Sequence, residues 1–269
     1  MLPMRTASLF APVLFSLGLT CADFAFAGQP CPEQDARNES MDKILRLATM
    51  VRDNLEKSGA SVAYIARAGI DLREFGLTYS HLGLAWRDHP KGRWFTFHLL
   101  NPCNTDKSSL ADHSLEDFYK VELFSYDALV AVPSPDVQLR LLKSFFSPLA
   151  TTLHHPLYSM ISYPYSTRYQ NSNQWVLEVT ATAFGPENMI QNRYQAQAWL
   201  KENGYEPTLA YISRLRRLGA QAVSPHVRFD DHTEEEYKYA RYAVVTADSI
   251  IKLIERHDRG IKLNRVRLQ

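Results

Sequence analysis

Apolar residues recur at helical spacing in some stretches of this chain and alternate with polar ones in others. Ile44, Leu45, Leu47, Ala48 and Val51 form a stripe that predicts a helix over 41–57, capped by Ser40 and stopped by Ser58-Gly59. Shorter alternating or apolar runs predict strands over 61–66, 80–87, 93–100 and 129–132, the last closed by Pro133 and Pro135. Helical patterns follow over 136–146, from about Asn171, over 191–203 and 208–218, and over 248–256. Two further short runs, 227–229 and 242–246, are expected as strands. The sum is an α+β fold: an antiparallel sheet packed with helices, ending in a helical C-terminal part.

Two of these runs bring chemistry together. With 80–87 and 92–99 paired around a four-residue turn at Asp88-His89-Pro90-Lys91, His81 lies directly opposite His98. Leu82, Leu84, Trp86, Phe95 and Phe97 then make a core face. The other face carries His81, Gly83, Ala85, Arg87, Trp94, Thr96 and His98, and its small residues leave room for another element to approach the imidazoles.

A second constellation is Gln170-Asn171-Ser172-Asn173-Gln174-Trp175. Asn171 followed by Gln174 is a variant of the capping box, so Ser172 falls in the first turn of a helix. Free backbone N–H groups and the positive end of the helix dipole favour negative charge there, as an acyl-transfer nucleophile and its oxyanion require. Asn171, Asn173 and Gln174 are the expected supports of that helix start. Trp94 and Tyr169 are expected to line a cleft beside it.

The N-terminus is read as processed. A basic start, a mostly apolar run over 8–20 and Ala25-Phe26-Ala27 resemble a signal peptide spanning 1–27. The apolar run is too short for a stable membrane span, and Cys21 sits in a poor context for lipidation. The product is expected in the periplasm or secreted, not integral to the membrane. Residues 28–269 are expected as one α+β domain, with a core over about 41–186 and a C-terminal extension over 187–269. In an oxidising compartment Cys31 and Cys103 are expected to pair, a bridge worth on the order of 4 kcal/mol.

Composition narrows the function classes. Lys and Arg number 30 against 29 Asp and Glu, so no global field suits nucleic acid. No Gly-rich phosphate loop, dinucleotide fingerprint or HExxH spacing is present, so neither a cofactor nor a metal is expected.

The strand Ser80-His81-Leu82-Gly83-Leu84-Ala85, the later His98 and the helix start at Asn171-Ser172 resemble, in that order, circularly permuted papain-like proteins of the NlpC type, which include the lecithin:retinol acyltransferase-like enzymes. More closely, Ser80-His81-x-Gly83, Phe97-His98-Leu99-Leu100-Asn101 and the helix start resemble a family of exported bacterial proteins catalogued as a domain of unknown function, number 2145. The wider resemblance implies amide, ester or thioester chemistry on cell-wall peptides or acyl lipids, with His81 as base, His98 orienting it and the helix-start residue as nucleophile. This chain departs at that residue. Ser172 stands where the superfamily has Cys, so the implied outcomes are a serine-based hydrolase or acyltransferase and a binding or scaffold protein that has lost the chemistry.

Overall fold

The computed structural model describes residues 37–121 and 123–268. The expected signal peptide and Cys31 lie outside them, and Cys103 is exposed in the turn following the His98 strand. In chain order the elements are α1 (Arg37–Ser58), β1 (Val62–Ala68), β2 (His81–His89), β3 (Gly92–Leu100), β4 (Ser109–His113), α2 (Leu115–Tyr119), β5 (Ser125–Val132), α3 (Pro135–Phe146) and α4 (Leu149–Thr152). Then come α5 (Ser172–Phe184), α6 (Arg193–Glu202), β6 (Thr208–Tyr211), α7 (Arg214–Val223), α8 (Glu234–Tyr239), β7 (Arg241–Val244), α9 (Ala247–His257) and β8 (Lys262–Arg267).

The architecture is α+β. Six strands in the order β4-β3-β2-β1-β5-β8 form an antiparallel sheet, and β6 pairs with β7 in a second, two-stranded one. β1 is buried along its whole length and serves both faces. Val62, Tyr64 and Ala66 join one core, whereas Ala63 and Ile65 join the other, as the period of two requires. The second core is closed by α1 and α2. On α1, Leu47, Val51 and Leu55 are fully buried, each worth about 1.5–3 kcal/mol as an upper estimate. The first core is larger and holds α5, whose residues from Ser172 to Ala181 are all buried. A helix buried all round has its position fixed from every side.

Several expected elements shift. The β2–β3 pairs are Leu84–Phe97, Ala85–Thr96 and His89–Gly92, so only Pro90-Lys91 form the loop. Asp88 and His89 stay in the ladder, and the register differs from the four-residue turn by two positions. Because the side-chain period is two, each residue keeps its expected face, while His81 and His98 become diagonal rather than directly opposed neighbours. The helix expected over 208–218 is strand β6 followed by α7. Ser213 caps α7 by accepting from the Arg216 N–H, and Leu209–Tyr211 pair with β7. Residues 227–229 belong to no strand; Val227 and Phe229 are buried in a segment where Ser159 Oγ accepts from the Arg228 N–H and donates to the Arg228 carbonyl, and the Met160 N–H donates to the His226 carbonyl.

Candidate active site

His81 opens β2, and its strand neighbour in β1 is Arg67. His98 lies in β3 and His113 at the end of β4, where His113 is paired with Thr96 and His98 with Ala111. The three histidines therefore run diagonally across three adjacent strands on one face. Small residues between them matter. A Cβ on Gly83 would meet Thr96 Cγ2 at 2.6 Å, Phe118 Cε2 at 3.0 Å and His98 Cβ at 3.3 Å. Only the absence of that Cβ lets Phe118 of α2 close over the imidazoles, with its ring centroid 5.1 Å from His98 and 5.7 Å from His81. The approaching element foreseen from the small residues is α2.

Ser172 is the first residue of α5, with Asn171 as its cap. The Asn171 Oδ1 accepts from the Gln174 N–H at 2.7 Å, as its position predicts. Its amide donates to the carbonyls of Met160 and Val245, so the cap also ties the helix start to the segment after β7. Gln174 does not close a reciprocal box: its side chain accepts from Ser162 Oγ and donates to the carbonyls of Tyr163 and Pro164. Asn173 turns toward β2 instead. Its Oδ1 accepts from the Leu82 N–H at 2.9 Å and its Nδ2 donates to the Ser80 carbonyl at 3.1 Å. Those two backbone groups flank His81, so Asn173 clamps the histidine's own main chain to the helix start.

The clamp brings Ser172 Oγ to 3.0 Å from His81 Nδ1. His81 Nε2 lies 2.9 Å from His98 Nδ1, and His98 Nε2 lies 3.3 Å from His113 Nδ1. A serine hydroxyl donating to His81 Nδ1 leaves that ring its proton on Nε2. The same logic then puts the His98 proton on Nε2, facing His113. A hydrogen bond also joins Tyr158 to the Ser172 side chain, and burial pushes the Tyr158 phenol well above its ordinary value. Of the first-turn amides of α5, Gln174 is taken by the Asn171 side chain and Trp175 by the Asn171 carbonyl. Those of Ser172 and Asn173 have no acceptor within the helix.

Burial holds His81 and His98 well below the usual imidazole value, and the nearby Arg67 guanidinium lowers both further. Arg67 is itself buried, donates to the Phe118 carbonyl and stacks over the Phe118 ring at 4.7 Å. Neutral imidazoles result, which is the form a general base must have. Ser172 borders a narrow apolar pocket with about 40 Å³ of free space, walled by Phe75, Tyr79, Tyr158, Met160, Ala210 and Val244. Strands β6 and β7 of the C-terminal part thus form one wall of it.

Among the expected site residues, His81, His98, Ser172, Asn171 and Asn173 converge here. Trp94 and Tyr169 do not line the pocket. Trp94 is fully buried at φ +58°, and its indole N–H donates to Glu56 of α1 at 2.8 Å. That hydrogen bond and the burial hold a backbone conformation unfavourable by about 1–3 kcal/mol. The Tyr169 hydroxyl instead reaches Asp230, under the Arg168 guanidinium. Arg67, His113 and Tyr158 were not foreseen. A lone Arg in the apolar run Val62–Ala68 was the one visible sign of the first.

The chain matches, over residues 54–254, the family model described as an uncharacterized protein conserved in bacteria (DUF2145), and it belongs to that family. No curated protein and no solved structure matches it.

Proposed function

We propose, from membership of that bacterial family as the premise, that the chain is an exported hydrolase or acyltransferase acting on an amide, ester or thioester. In this reading Ser172 attacks the carbonyl carbon, His81 removes its proton, and His98 orients His81. The amides of Ser172 and Asn173 receive the oxyanion. The core is taken as permuted papain-like, and the N-terminal 27 residues as a leader directing the protein to the periplasm or beyond. The observation carrying the reading is the 3.0 Å contact between Ser172 Oγ and His81 Nδ1 at a helix N-terminus, within the range of a nucleophile and its base. The walls beside Ser172 are apolar, as contact with the acyl carbon of a substrate requires, and their roughly 40 Å³ of free space holds only a small group unless the pocket opens.

One observation favours a second reading. Ser172, standing where the papain-like proteins that the chain resembles carry a thiol, suits a binding protein that keeps the fold without turnover, since a hydroxyl needs its base throughout attack. A fluorophosphonate probe on the purified full chain separates the two. Under the hydrolase reading the probe labels one serine, and both Ser172→Ala and His81→Ala remove the label, the double variant losing little more than either alone. Ser172→Cys should then react rapidly with iodoacetamide. A serine that the probe leaves untouched, with a slow Ser172→Cys thiol, would leave the binding protein.

A further inference from the structure

In a serine–histidine site of the familiar kind, the far ring nitrogen of the base meets a carboxylate, which stabilises the imidazolium formed on attack. Here that nitrogen meets His98, and the far nitrogen of His98 meets His113. All four ring nitrogens of His81 and His98 are thereby occupied by a hydroxyl or another imidazole. Opposite His81, on the neighbouring strand, stands the buried guanidinium of Arg67. A second positive charge on His81 or His98 would be enclosed beside it in a medium of low dielectric. His113 differs from the other two. It sits on the edge strand β4 and is only half-buried, so water can solvate a charge placed there.

We propose that His113 is the far terminus of a proton relay, and that the positive charge created when Ser172 attacks resides on His113 rather than on His81. The step rests on the hydrolase reading above. The Ser172 Oγ proton moves to His81 Nδ1 as the Oγ–carbon bond forms and the carbonyl pair moves onto oxygen. The His81 Nε2 proton passes to His98 Nδ1, and the His98 Nε2 proton passes to His113 Nδ1. His81 and His98 end neutral in the opposite tautomer, and His113 becomes the imidazolium. When the tetrahedral adduct collapses, the leaving group takes the proton from His81 Nδ1, and the two inner shifts reverse. No oxidant or further reactant is needed. His113 touches neither serine nor substrate, so it is a positioning residue that acts through His98.

The test reads tautomers and rates separately. Nitrogen-15 NMR of histidine-labelled full chain near neutral pH should show His81 and His98 both protonated on Nε2. A His98 ring protonated on Nδ1 would overturn the relay, whether or not the protein turns anything over. His113→Phe removes the acceptor and should release the His98 tautomer. His113→Gln keeps an acceptor for the His98 N–H but takes up no proton. It should preserve the tautomers while slowing fluorophosphonate labelling of Ser172 at least roughly tenfold, as His113→Phe does. Labelling as fast in His113→Gln as in the unaltered protein would reduce His113 to a hydrogen-bond acceptor and end the proposal. Total absence of labelling in the unaltered protein would count against the hydrolase, with the NMR arm still deciding whether the chain of hydrogen bonds runs in the stated sense.

Discussion

Helix α5 organises two buried polar networks, and they solve opposite problems. Near its middle, Glu178 is fully buried and ion-paired with Arg193 at 2.8 Å. Gln170 and Gln197 also donate to its carboxylate, at 2.7 and 2.8 Å. Arg193 then reaches the carbonyls of Thr167 and Tyr169 at 2.8 Å each, fixing the loop that leads into Ser172. At the helix start, the Ser172–His81–His98–His113 chain holds no carboxylate, and its two inner members are neutral. One network fixes opposite charges in place with every lone pair used. The other leaves each proton free to move one position along a line. A charged, saturated cluster makes a rigid frame, and a neutral, directional one makes a site.

The sharpest way to break this comparison is to remove a charge from the frame. Arg193→Met leaves Glu178 buried without its cation, and burial already pushes that carboxyl above its ordinary range against the pull of Arg193. Removing one partner of such a pair costs about 3–5 kcal/mol. Urea denaturation should register that loss, and Glu178→Gln added to Arg193→Met should recover part of it. Ser172→Ala should stay within about 1 kcal/mol of the unaltered protein, because a small residue in a first helical turn is tolerated. If the two variants lost equal stability, the division between frame and site would be wrong.

The two networks also respond to acid with opposite sign. His81 and His98 have folded-state values depressed below those of the unfolded chain, so the unfolded state binds protons first as the pH falls. Their stabilising contribution is complete above about pH 6.5 and is lost below it, at about 1.4 kcal/mol per pH unit for each ring. Glu178 has a raised value, so its contribution is complete in acid and is lost as the pH rises through the range above the usual glutamate value. Unfolding midpoints measured from pH 4 to 8 should therefore fall steeply below 6.5, and His98→Asn should flatten that limb. A limb unchanged in His98→Asn would mean that the buried ring does not drive it.

Much of the site was legible because alternation and capping are local rules. His81 and His98 were placed on one face by a period of two, and that survives a register error of two positions. Asn171 before Ser172 marked a helix start through the preference of a short polar side chain for an N-cap. The loop length was misread because Asp88-His89-Pro90-Lys91 all carry turn chemistry, although only Pro90 and Lys91 leave the ladder. The segment 208–218 was misread as one helix because Tyr211, Leu215 and Leu218 recur at helical spacing, whereas all three are exposed and Ser213 caps a helix that starts only after β6. His113 had no local signal at all. It ends a five-residue edge strand without apolar alternation, and only the ladder to β3 brings it within reach of His98.

A loss of stability smaller than that of the buried ion pair bears most directly on how frame and site are joined. Asn173 grips the main chain on both sides of His81, through Leu82 N–H and the Ser80 carbonyl, as no other side chain among the described residues does. Asn173→Ala leaves both backbone groups without that partner in a buried setting, at a cost of about 1–2 kcal/mol, less than the loss of the buried ion pair. Its consequence for chemistry should be larger than its consequence for stability. Once β2 is no longer tied to the helix start, His81 Nδ1 and Ser172 Oγ are free to drift apart, and displacement of reacting groups by about 1 Å can cost up to a hundredfold in rate. Asn173→Asp is the informative partner, since its carboxylate still accepts from Leu82 N–H but has nothing to donate to Ser80. Fluorophosphonate labelling should fall in both variants, more in Asn173→Ala, with melting temperatures within a few degrees of the unaltered protein. Labelling that is unaffected in Asn173→Ala would show that the sheet alone places His81 and that the clamp belongs to the frame.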